Sequence, residues 1–213
     1  LTPLDGDEEG VRDVIARASG GDARAFAALV NRYEDRIYRF GFRMCGHPED
    51  ARDVLQDTFL AVLRHIDSYR GDGRFVSWLY KIASSACIKR RRRKVDEPEH
   101  MLSLDAAAYD DGPALAHLIP ADGASPFDEA ERRQIREALE DAVRALPEHY
   151  RIVLVLRDFE HQSMQEVADA LGLTETATKV RLHRARLLLR KELAERHVSQ
   201  DGLTDGVPEG SAR

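Results

Sequence analysis

At 213 residues and a net charge of −6, the chain can hold two small domains but cannot be basic over its whole surface. We expect no membrane insertion, because no apolar run approaches the roughly 18 residues that a span needs. Acids occupy the N-terminus where an export signal would carry basic residues, which predicts a cytoplasmic location. The two cysteines, Cys45 and Cys87, are expected to be buried free thiols. With the eight scattered histidines they lack metal-ligand spacing, so no metal or other cofactor is expected.

The first third of the chain predicts helices. Residues 1–20 are expected to form an N-terminal tail and the start of the first helix. Asp22 can cap a helix whose apolar side chains keep a 3.6-residue period as far as Met44. Pro48 suits the first turn of a second helix, which is expected to end near Ile66. The apolar positions of this second helix, expected to face inward, are Val54, Leu55, Phe59, Val62, Leu63 and Ile66.

The opposite face of this second helix is acidic and polar. Its residues are Glu49, Asp50, Asp53, Gln56 and Asp57. Acids in a first helical turn are favoured by the helix dipole, so part of this face has a structural explanation.

A loop over residues 67–74 leads into a predicted helix over residues 75–94. Six consecutive basic residues, from Lys89 to Lys94, end this helix. The helix dipole explains one or two of them, and the excess indicates a phosphate-binding patch. Aromatic residues in the preceding turns are available to stack on bases. Arg74 and Lys89 are both expected to be exposed.

The stretch that follows this basic run is acidic. From Val95 to Glu131 it contains ten acids and neither lysine nor arginine. Prolines interrupt it and it has little periodicity, so residues 95–125 are predicted to be an extended linker. The linker would separate a domain at 21–94 from one at 126–196, and residues 197–213 are expected to be a disordered tail. Its acids could fold back onto the basic faces or lie along a basic partner.

The second domain is predicted to begin with a helix at Pro126 and to continue with a short buried helix from Pro147 to Phe159. The inward positions of the first of these helices are expected to be Ile135, Leu139, Ala142, Val143 and Leu146. Ser163 and Glu166 have the spacing of a capping box at the start of a third helix. Gly172 suits its end, and Thr174 can cap the helix that follows.

Residues 163–190 therefore have the pattern of a helix-turn-helix. One face of the second helix is apolar or small, with Thr178, Leu182, Ala185 and Leu189. Off that face lie Lys179, His183, Arg184 and Arg186. Such side chains can reach guanine edges or phosphates in a DNA major groove. An ordinary helical hairpin with a solvated basic face would have the same pattern.

Taken together, these segments resemble the bacterial extracytoplasmic-function (ECF) sigma factors, the two-domain branch of the sigma-70 family. The match to region 2 runs from AFAALVNRYEDRIYRF through HPEDARDVLQDTFLAVLRHIDSYRG to FVSWLYKIASSACIKRRRR. The match to region 4 runs from ALEDAVRALPEHYRIVLVLRDFEHQSMQEVADALGLTETATKVRLHRARLLLRKEL. The resemblance implies an all-α fold of two small helical domains joined by the acidic linker.

The resemblance also implies a function. Such a factor has no active site, binds core RNA polymerase at the β′ clamp helices and the β flap, and directs it to −35 and −10 promoter elements. It helps to melt the −10 duplex and is commonly held inactive by a cognate anti-sigma factor. The implied polymerase-binding residues are Asp50, Asp53, Gln56 and Asp57. The implied −10 residues are Ser68, Tyr69, Arg70, Arg74, Trp78, Lys81, Lys89, Arg90 and Arg91. The implied −35 residues are Ser163, Thr174, Thr176, Lys179, Arg181, His183, Arg184 and Arg186.

The chain departs from the family pattern at a few of these positions. Ala177 and Val180 replace polar residues at the start of the recognition helix, and Arg52 stands where the family usually has another acid. These departures leave the −35 sequence open.

Two other readings of the residues remain. A helix-turn-helix regulator would explain residues 163–190 but leaves the aromatic and basic segment 69–94 without a role. A nuclease using the acids at 49–57 lacks convergent catalytic geometry, because those carboxylates share one helix with no histidine or metal cluster beside them.

Overall fold

The structure, a computed structural model, describes the backbone of residues 8–71, 74–94 and 126–204 and the side chains of 10–71, 74–90 and 133–196. The predicted linker, the tips of the chain and the side chain of Arg91 lie outside the described residues. The described elements are α1 (Glu8–Ser19), α2 (Ala23–Cys45), α3 (Pro48–His65), a 3-10 turn (Ile66–Ser68), α4 (Phe75–Lys94), α5 (Pro126–Ala145), α6 (Glu148–Leu154), a π-helical turn (Val155–Phe159), α7 (Met164–Leu171) and α8 (Glu175–Thr204).

This all-α architecture confirms the predicted fold class, and the described ranges contain no strand. None of the helices in those ranges combines the length and the apolar character that crossing a bilayer requires. Two bounds differ from the sequence predictions. Residues 8–19 form a complete separate helix rather than the start of one, and α8 continues to Thr204, past the predicted recognition helix and into the predicted tail.

Local signals in the sequence set most helix ends. The Asp22 carboxylate accepts hydrogen bonds from the amides of Arg24 and Ala25 and begins α2, as its side chain predicted. Gly46 ends α2 in the left-handed conformation at φ 78°, which glycine adopts without steric cost. Pro48 then starts α3, because its ring fixes φ at a helical value and its missing amide has no helical partner to lose.

Helices α2, α3 and α4 pack together around an aromatic core, and α1 covers one side of α2. The Phe40 and Tyr80 ring centroids lie 5.4 Å apart, and those of Tyr33 and Phe75 lie 5.5 Å apart. Gly41 allows α2 and α3 to approach closely, because a Cβ there would meet the Ala51 backbone at 3.3 Å. This packing fixes α3 and α4 relative to each other.

Two of the residues expected inside are on the surface. Leu63 on α3 is 54% exposed and Ile135 on α5 is 44% exposed, so the prediction that both face inward is wrong. Both sit at the edge of an apolar stripe whose central residues, such as Val62 and Leu139, do point inward. A 3.6-residue period identifies the centre of a buried stripe better than its edges.

Helices α5–α8, the second unit, pack against helices α1–α4, the first unit, through α2 and α4. The buried side chains of both units form one continuous cluster. Arg151 on α6 helps to join them. Its guanidinium is buried and donates hydrogen bonds to the carbonyls of Met44, Arg144 and Leu146, at the C-terminal ends of α2 and α5. The C-terminus of a helix exposes carbonyls and carries partial negative charge. The single Arg151 guanidinium therefore stabilises the C-terminal ends of both α2 and α5.

Candidate nucleic-acid interface

The polar face of α3 splits into a buried and an exposed part. Gln56 and Asp57 are exposed, and the neighbouring Leu60 and Leu63 add exposed apolar surface at 40% and 54%. Asp50 is only 8% exposed. The surface that a partner of α3 can reach is therefore centred on Gln56 and Asp57.

Asp50 and Asp53 bind Arg90 of α4. Arg90 donates to Asp50 Oδ1 from Nε at 2.9 Å and from Nη2 at 2.7 Å, and its Nη2 also reaches Asp53. The hydrogen bond that Arg90 donates to Asp50 is the largest cause that raises the pKa of Arg90. The sequence assigned these residues to different partners, polymerase for the acids and DNA for the arginine. In the structure they are partners of each other, so the Arg90 guanidinium, expected to contact the −10 element, is bound by the acids of α3.

The segment before α4 forms a small aromatic cluster. The Tyr69 ring lies 5.3 Å from Phe75 and 5.5 Å from Trp78, between centroids, and both Tyr69 and Trp78 remain half-exposed. Ser68 donates to the carbonyl of His65 and closes the turn that precedes the cluster. Half-exposed aromatic rings in fixed positions can stack on bases. Arg70 and Lys81 are exposed basic residues near this cluster in sequence, and Lys89 is exposed further along α4.

Arg74 is half-buried rather than exposed, which corrects the sequence expectation. Its Nε and Nη2 donate to the two carboxylate oxygens of Glu166, at 3.0 and 2.9 Å. Glu166 lies in the first turn of α7, so a predicted −10 residue binds the helix-turn-helix directly. The pKa of Glu166 falls to about 2: burial opposes ionisation, and hydrogen bonds from Arg74, Ser77 and Ser163 outweigh it.

The helix-turn-helix itself has the predicted caps. Ser163 and Glu166 form the capping box of α7, and Gly172 ends that helix at φ 65°. The Thr174 hydroxyl accepts a hydrogen bond from the amide of Ala177 at 3.1 Å and caps α8. These contacts fix the turn between α7 and α8 and therefore the direction of α8.

Along α8 the predicted buried face is confirmed, since Thr178, Leu182, Ala185 and Leu189 are at most 3% exposed. Val180 is also buried at 5% exposure, so it packs in the core. The remaining predicted −35 residues lie at or near the helix surface. Exposed are Ser163, Thr174, Thr176 and Lys179, and half-exposed are Arg181, His183 and Arg184. Arg181 lies close enough to α6 for its charge to add to burial in lowering the pKa of His149.

Arg186 is held by the core of the second unit. Its Nε and Nη2 donate to the carboxylate of Asp158, at 3.0 and 2.7 Å, and the Asp158 side chain has no solvent exposure. A buried carboxylate needs such a partner, because an unpaired buried charge is strongly unfavourable. Arg186 therefore anchors α8 to the π-helical turn, and its guanidinium is held by Asp158 rather than turned toward DNA, as had been expected.

Sequence reasoning missed the residues that join the two units. They are Arg36, Arg43, Ser77, Tyr80, Glu160 and Gln162. Their partners are far away along the chain, so no spacing in the sequence brings them together. The sequence carries no local signal for them, since even the buried Glu160 stands after the apolar run, in a stretch with Arg157, Asp158, His161 and Gln162.

Known proteins share both halves of this arrangement. Residues 29–96 match the family described as Sigma-70 region 2, and residues 136–189 match Sigma-70, region 4. The chain is 32% identical over 185 residues to the ECF RNA polymerase sigma factor SigW of Bacillus subtilis (strain 168), covering 87% of this chain and 97% of that protein. It is 30% identical over 190 residues to the RNA polymerase sigma-H factor of Pseudomonas aeruginosa, covering 87% and 95%.

A solved structure has the same fold. CnrH, in a complex with the cytosolic domain of CnrY, superposes with a TM-score of 0.59 at 24% identity, covering 88% of this chain and 99% of that chain. The chain therefore belongs to the extracytoplasmic-function group of the sigma-70 family. It is a sigma factor, a non-enzymatic protein that acts in promoter recognition and transcription initiation.

Proposed function

We propose that this sigma factor binds core RNA polymerase through α3 and places α8 on the −35 element and α4 on the −10 element. The second unit would bind the β flap, and α3 would bind the β′ clamp helices. The aromatic and basic surface of α4 and the preceding loop would hold the melted −10 strand. The protein would act in the cytoplasm.

One observation carries the −35 assignment. A buried stripe along α8 fixes the rotation of the helix, so Lys179 and Arg184 are held away from the core at the surface. Neither makes an ion pair within the described part of the chain. Helix α8 is the second helix of the helix-turn-helix. Basic side chains on the outer face of such a helix can contact base edges in the major groove.

The polymerase assignment rests on the exposed part of α3. Asp57 and Gln56 offer negative and polar groups, and Leu60 and Leu63 offer apolar area beside them. A surface of this composition suits a protein partner better than it suits DNA, because phosphates repel carboxylates.

An anti-sigma factor is a further proposed partner. CnrH, which shares the fold, was solved in complex with the cytosolic domain of CnrY, and another protein of the same fold was solved with the anti-sigma factor NepR. A pull-down from the native organism with the full chain, followed by an inhibition assay with the captured protein, tests this. A captured protein that left transcription unchanged would not be an anti-sigma factor.

Reconstituted transcription tests the central proposal. Core RNA polymerase supplied with the full chain should start transcripts at specific sites on a subset of promoters, and the chain alone should bind duplex DNA weakly. A chain that bound an operator tightly by itself, and gave no transcripts with core, would be a regulator instead.

A second experiment tests −10 melting. Arg74→Ala and Lys89→Ala should reduce permanganate-detected melting near −10 while the closed complex still forms. Lys191→Ala, on the exposed side of α8, is the matched control. Unchanged melting in both test variants would remove these two residues from the opening step.

A further inference from the structure

The two cysteines of the chain lie against each other. Cys45 is the last residue of α2 and Cys87 lies on α4, and both are free thiols. Cys87 is 3% exposed, as predicted, whereas Cys45 is half-buried rather than fully buried. The two side chains are hydrogen-bonded to each other. Thiols in such contact need only a small adjustment to form a disulfide, whose sulfurs are about 2.05 Å apart.

The packing around Cys45 holds it against Cys87. Helix α2 packs against both α4 and α6, and Cys45 lies at the edge of the buried cluster that contains Cys87. On one side of Cys45, the Met44 carbonyl accepts a hydrogen bond from the buried guanidinium of Arg151. On the other side, the Gly46 amide donates to the carbonyl of Phe42 and ends α2. The backbone is therefore fixed on both sides of Cys45.

The surroundings of Cys87 favour uncharged sulfur. The hydrogen bond with Cys45, burial, and the negative charges of a Cys45 thiolate and of Glu148 raise the pKa of Cys87. Cys87 therefore keeps its proton and donates it to the Cys45 sulfur. The half-buried Cys45 is the thiol that a dissolved oxidant can reach first. A disulfide carries no charge, so the burial and the carboxylate that disfavour a thiolate do not disfavour the disulfide.

We propose that Cys45 and Cys87 form a modification site at which hydrogen peroxide produces an intramolecular disulfide between α2 and α4. In the first step the Cys45 sulfur attacks a peroxide oxygen, which gives a sulfenic acid and releases water. In the second step the Cys87 sulfur attacks the sulfenic sulfur and the S–O bond breaks. The departing hydroxide takes the proton of Cys87 and leaves as water. Two thiols are thus oxidised to one disulfide, and one peroxide is reduced to two molecules of water.

The same surroundings make this modification slow to form and slow to reverse. The second step requires Cys87 to lose the proton that its surroundings retain. Reduction requires an external thiolate to attack the more accessible sulfur, that of Cys45, and to expel a Cys87 thiolate that burial and Glu148 disfavour. Fast redox sensors instead have exposed thiols in electropositive surroundings. The pair is therefore suited to a lasting response to peroxide rather than to a rapid one.

The disulfide would close a loop that contains α3 and the aromatic cluster of Tyr69, Phe75 and Trp78. Neither cysteine belongs to the exposed surface of α3 around Gln56 and Asp57. A cross-link at the buried base of this loop restricts the unfolded chain far more than the folded one. We therefore expect the oxidised protein to resist unfolding and to keep its activity in transcription. The inference does not depend on which surface binds polymerase and which binds DNA.

The first test uses the full chain, freed of reductant and treated with hydrogen peroxide. Digestion without reduction, followed by mass spectrometry, should identify a peptide pair that joins Cys45 to Cys87 in the monomer. The intact mass should fall by two hydrogen atoms. The midpoint of thermal unfolding should rise by about 5 °C or more and should return to its original value after complete reduction.

Three results of this test would overturn the inference. One is a sulfinic acid at Cys45 with no cross-link, and another is a disulfide between two molecules. The third is a cross-linked monomer that unfolds at the same temperature as the reduced protein.

Single variants test the separate roles of the two thiols. In Cys87→Ala the reaction should stop at the sulfenic acid of Cys45, which dimedone traps as a stable adduct. In Cys45→Ala the buried Cys87 should remain unmodified after the same exposure to peroxide. If Cys87 in that variant were oxidised as fast as Cys45 in the wild type, the proposed order of reaction would be refuted.

The part played by Glu148 is tested by rate. Glu148→Gln removes a charge that disfavours the Cys87 thiolate, so both disulfide formation and reduction by dithiothreitol should become about threefold faster. The matched control is Glu137→Gln, which removes the same charge from an exposed position on α5 and should change either rate by less than about 1.5-fold. Equal rates in the two variants would show that the carboxylate of Glu148 does not restrain the pair.

Discussion

Arg90 donates two hydrogen bonds to a single oxygen of Asp50, and so ties the basic end of α4 to the acidic start of α3. This pair lies between the two surfaces that we propose for polymerase and for the −10 strand. Because α3 and α4 cannot shift independently while it is intact, the position of one surface fixes the position of the other. The α3 residues expected to bind polymerase therefore divide into Asp50 and Asp53, which bind Arg90, and Gln56 and Asp57, which are exposed further along the helix.

The first prediction separates these two groups. Asp50→Asn should lower the free energy of unfolding by about 1.5–3 kcal/mol, because it weakens charge-assisted hydrogen bonds of a largely buried group. Asp57→Asn should leave the stability within about 0.5 kcal/mol and should weaken core polymerase binding instead. Urea unfolding and a core-binding titration measure the two effects. Equal loss of stability in both variants would contradict the division.

The second prediction concerns Arg186. Replacing it by alanine leaves the buried Asp158 carboxylate without its cation and should cost about 3–5 kcal/mol of unfolding free energy. Lys179→Ala, on the exposed side of the same helix, should change the stability by less than about 0.5 kcal/mol. Urea denaturation of the full chain provides the comparison. If Arg186→Ala were as stable as Lys179→Ala, its anchoring role would be refuted.

The third prediction concerns base reading by α8. Lys179→Ala and Arg184→Ala should each cost about 1–3 kcal/mol on promoters where the side chain makes a bidentate base contact, and little on others. Transcription from a panel of promoters with altered −35 sequences measures this, with Lys191→Ala as the control. A uniform loss across the panel would mean that both residues contact phosphates.

The fourth prediction is a pH dependence. The pKa of Glu166 is lowered to about 2 from its ordinary value of 4.5, because the hydrogen bonds that it accepts outweigh its burial. A lowered carboxylate pKa stabilises the docked state fully above about pH 4.5, and this stabilisation is lost as the pH falls toward about 2. The carboxyl carbon of Glu166, followed by NMR, should therefore change little between about pH 6 and about pH 3.

The variant Arg74→Ala is the control for this titration. It removes two of the hydrogen bonds that lower the pKa, so Glu166 should titrate at a higher pH than in the wild type. A wild-type midpoint near the ordinary value, unaffected by the substitution, would mean that Arg74 and Glu166 do not pair in solution.

Much of the fold follows from local patterns in the sequence. The Asp22 cap, the capping box of α7 and the buried face of α8 are each determined by residues within one or two turns, and all were predicted. The separate helix α1 was missed although Val11, Ile15 and Ala18 have helical spacing and are buried. The acids and glycines near the start of the chain favoured the prediction of a tail there instead.

The site was predicted less completely, for a physical reason. Ion pairs such as Arg74–Glu166 join residues 92 positions apart, and their formation depends on how the helices dock. Periodicity describes which face of a helix is apolar, but it carries no information on which polar residue meets which. Exposed side chains such as Lys179 were therefore placed correctly, whereas Arg74, Arg90 and Arg186 acquired partners that the sequence did not reveal.

The π-helical turn at Val155–Phe159 sets the rotation, about the helix axis, of the residues that follow it. Each residue of an α-helix advances the chain by roughly 100° around the axis, so one inserted or deleted residue here would rotate everything that follows by that angle. Glu160, which follows the turn, would then face away from Arg43, which precedes it. We therefore expect this segment to tolerate substitutions better than changes of length, which would alter the angle between the helices on either side of it.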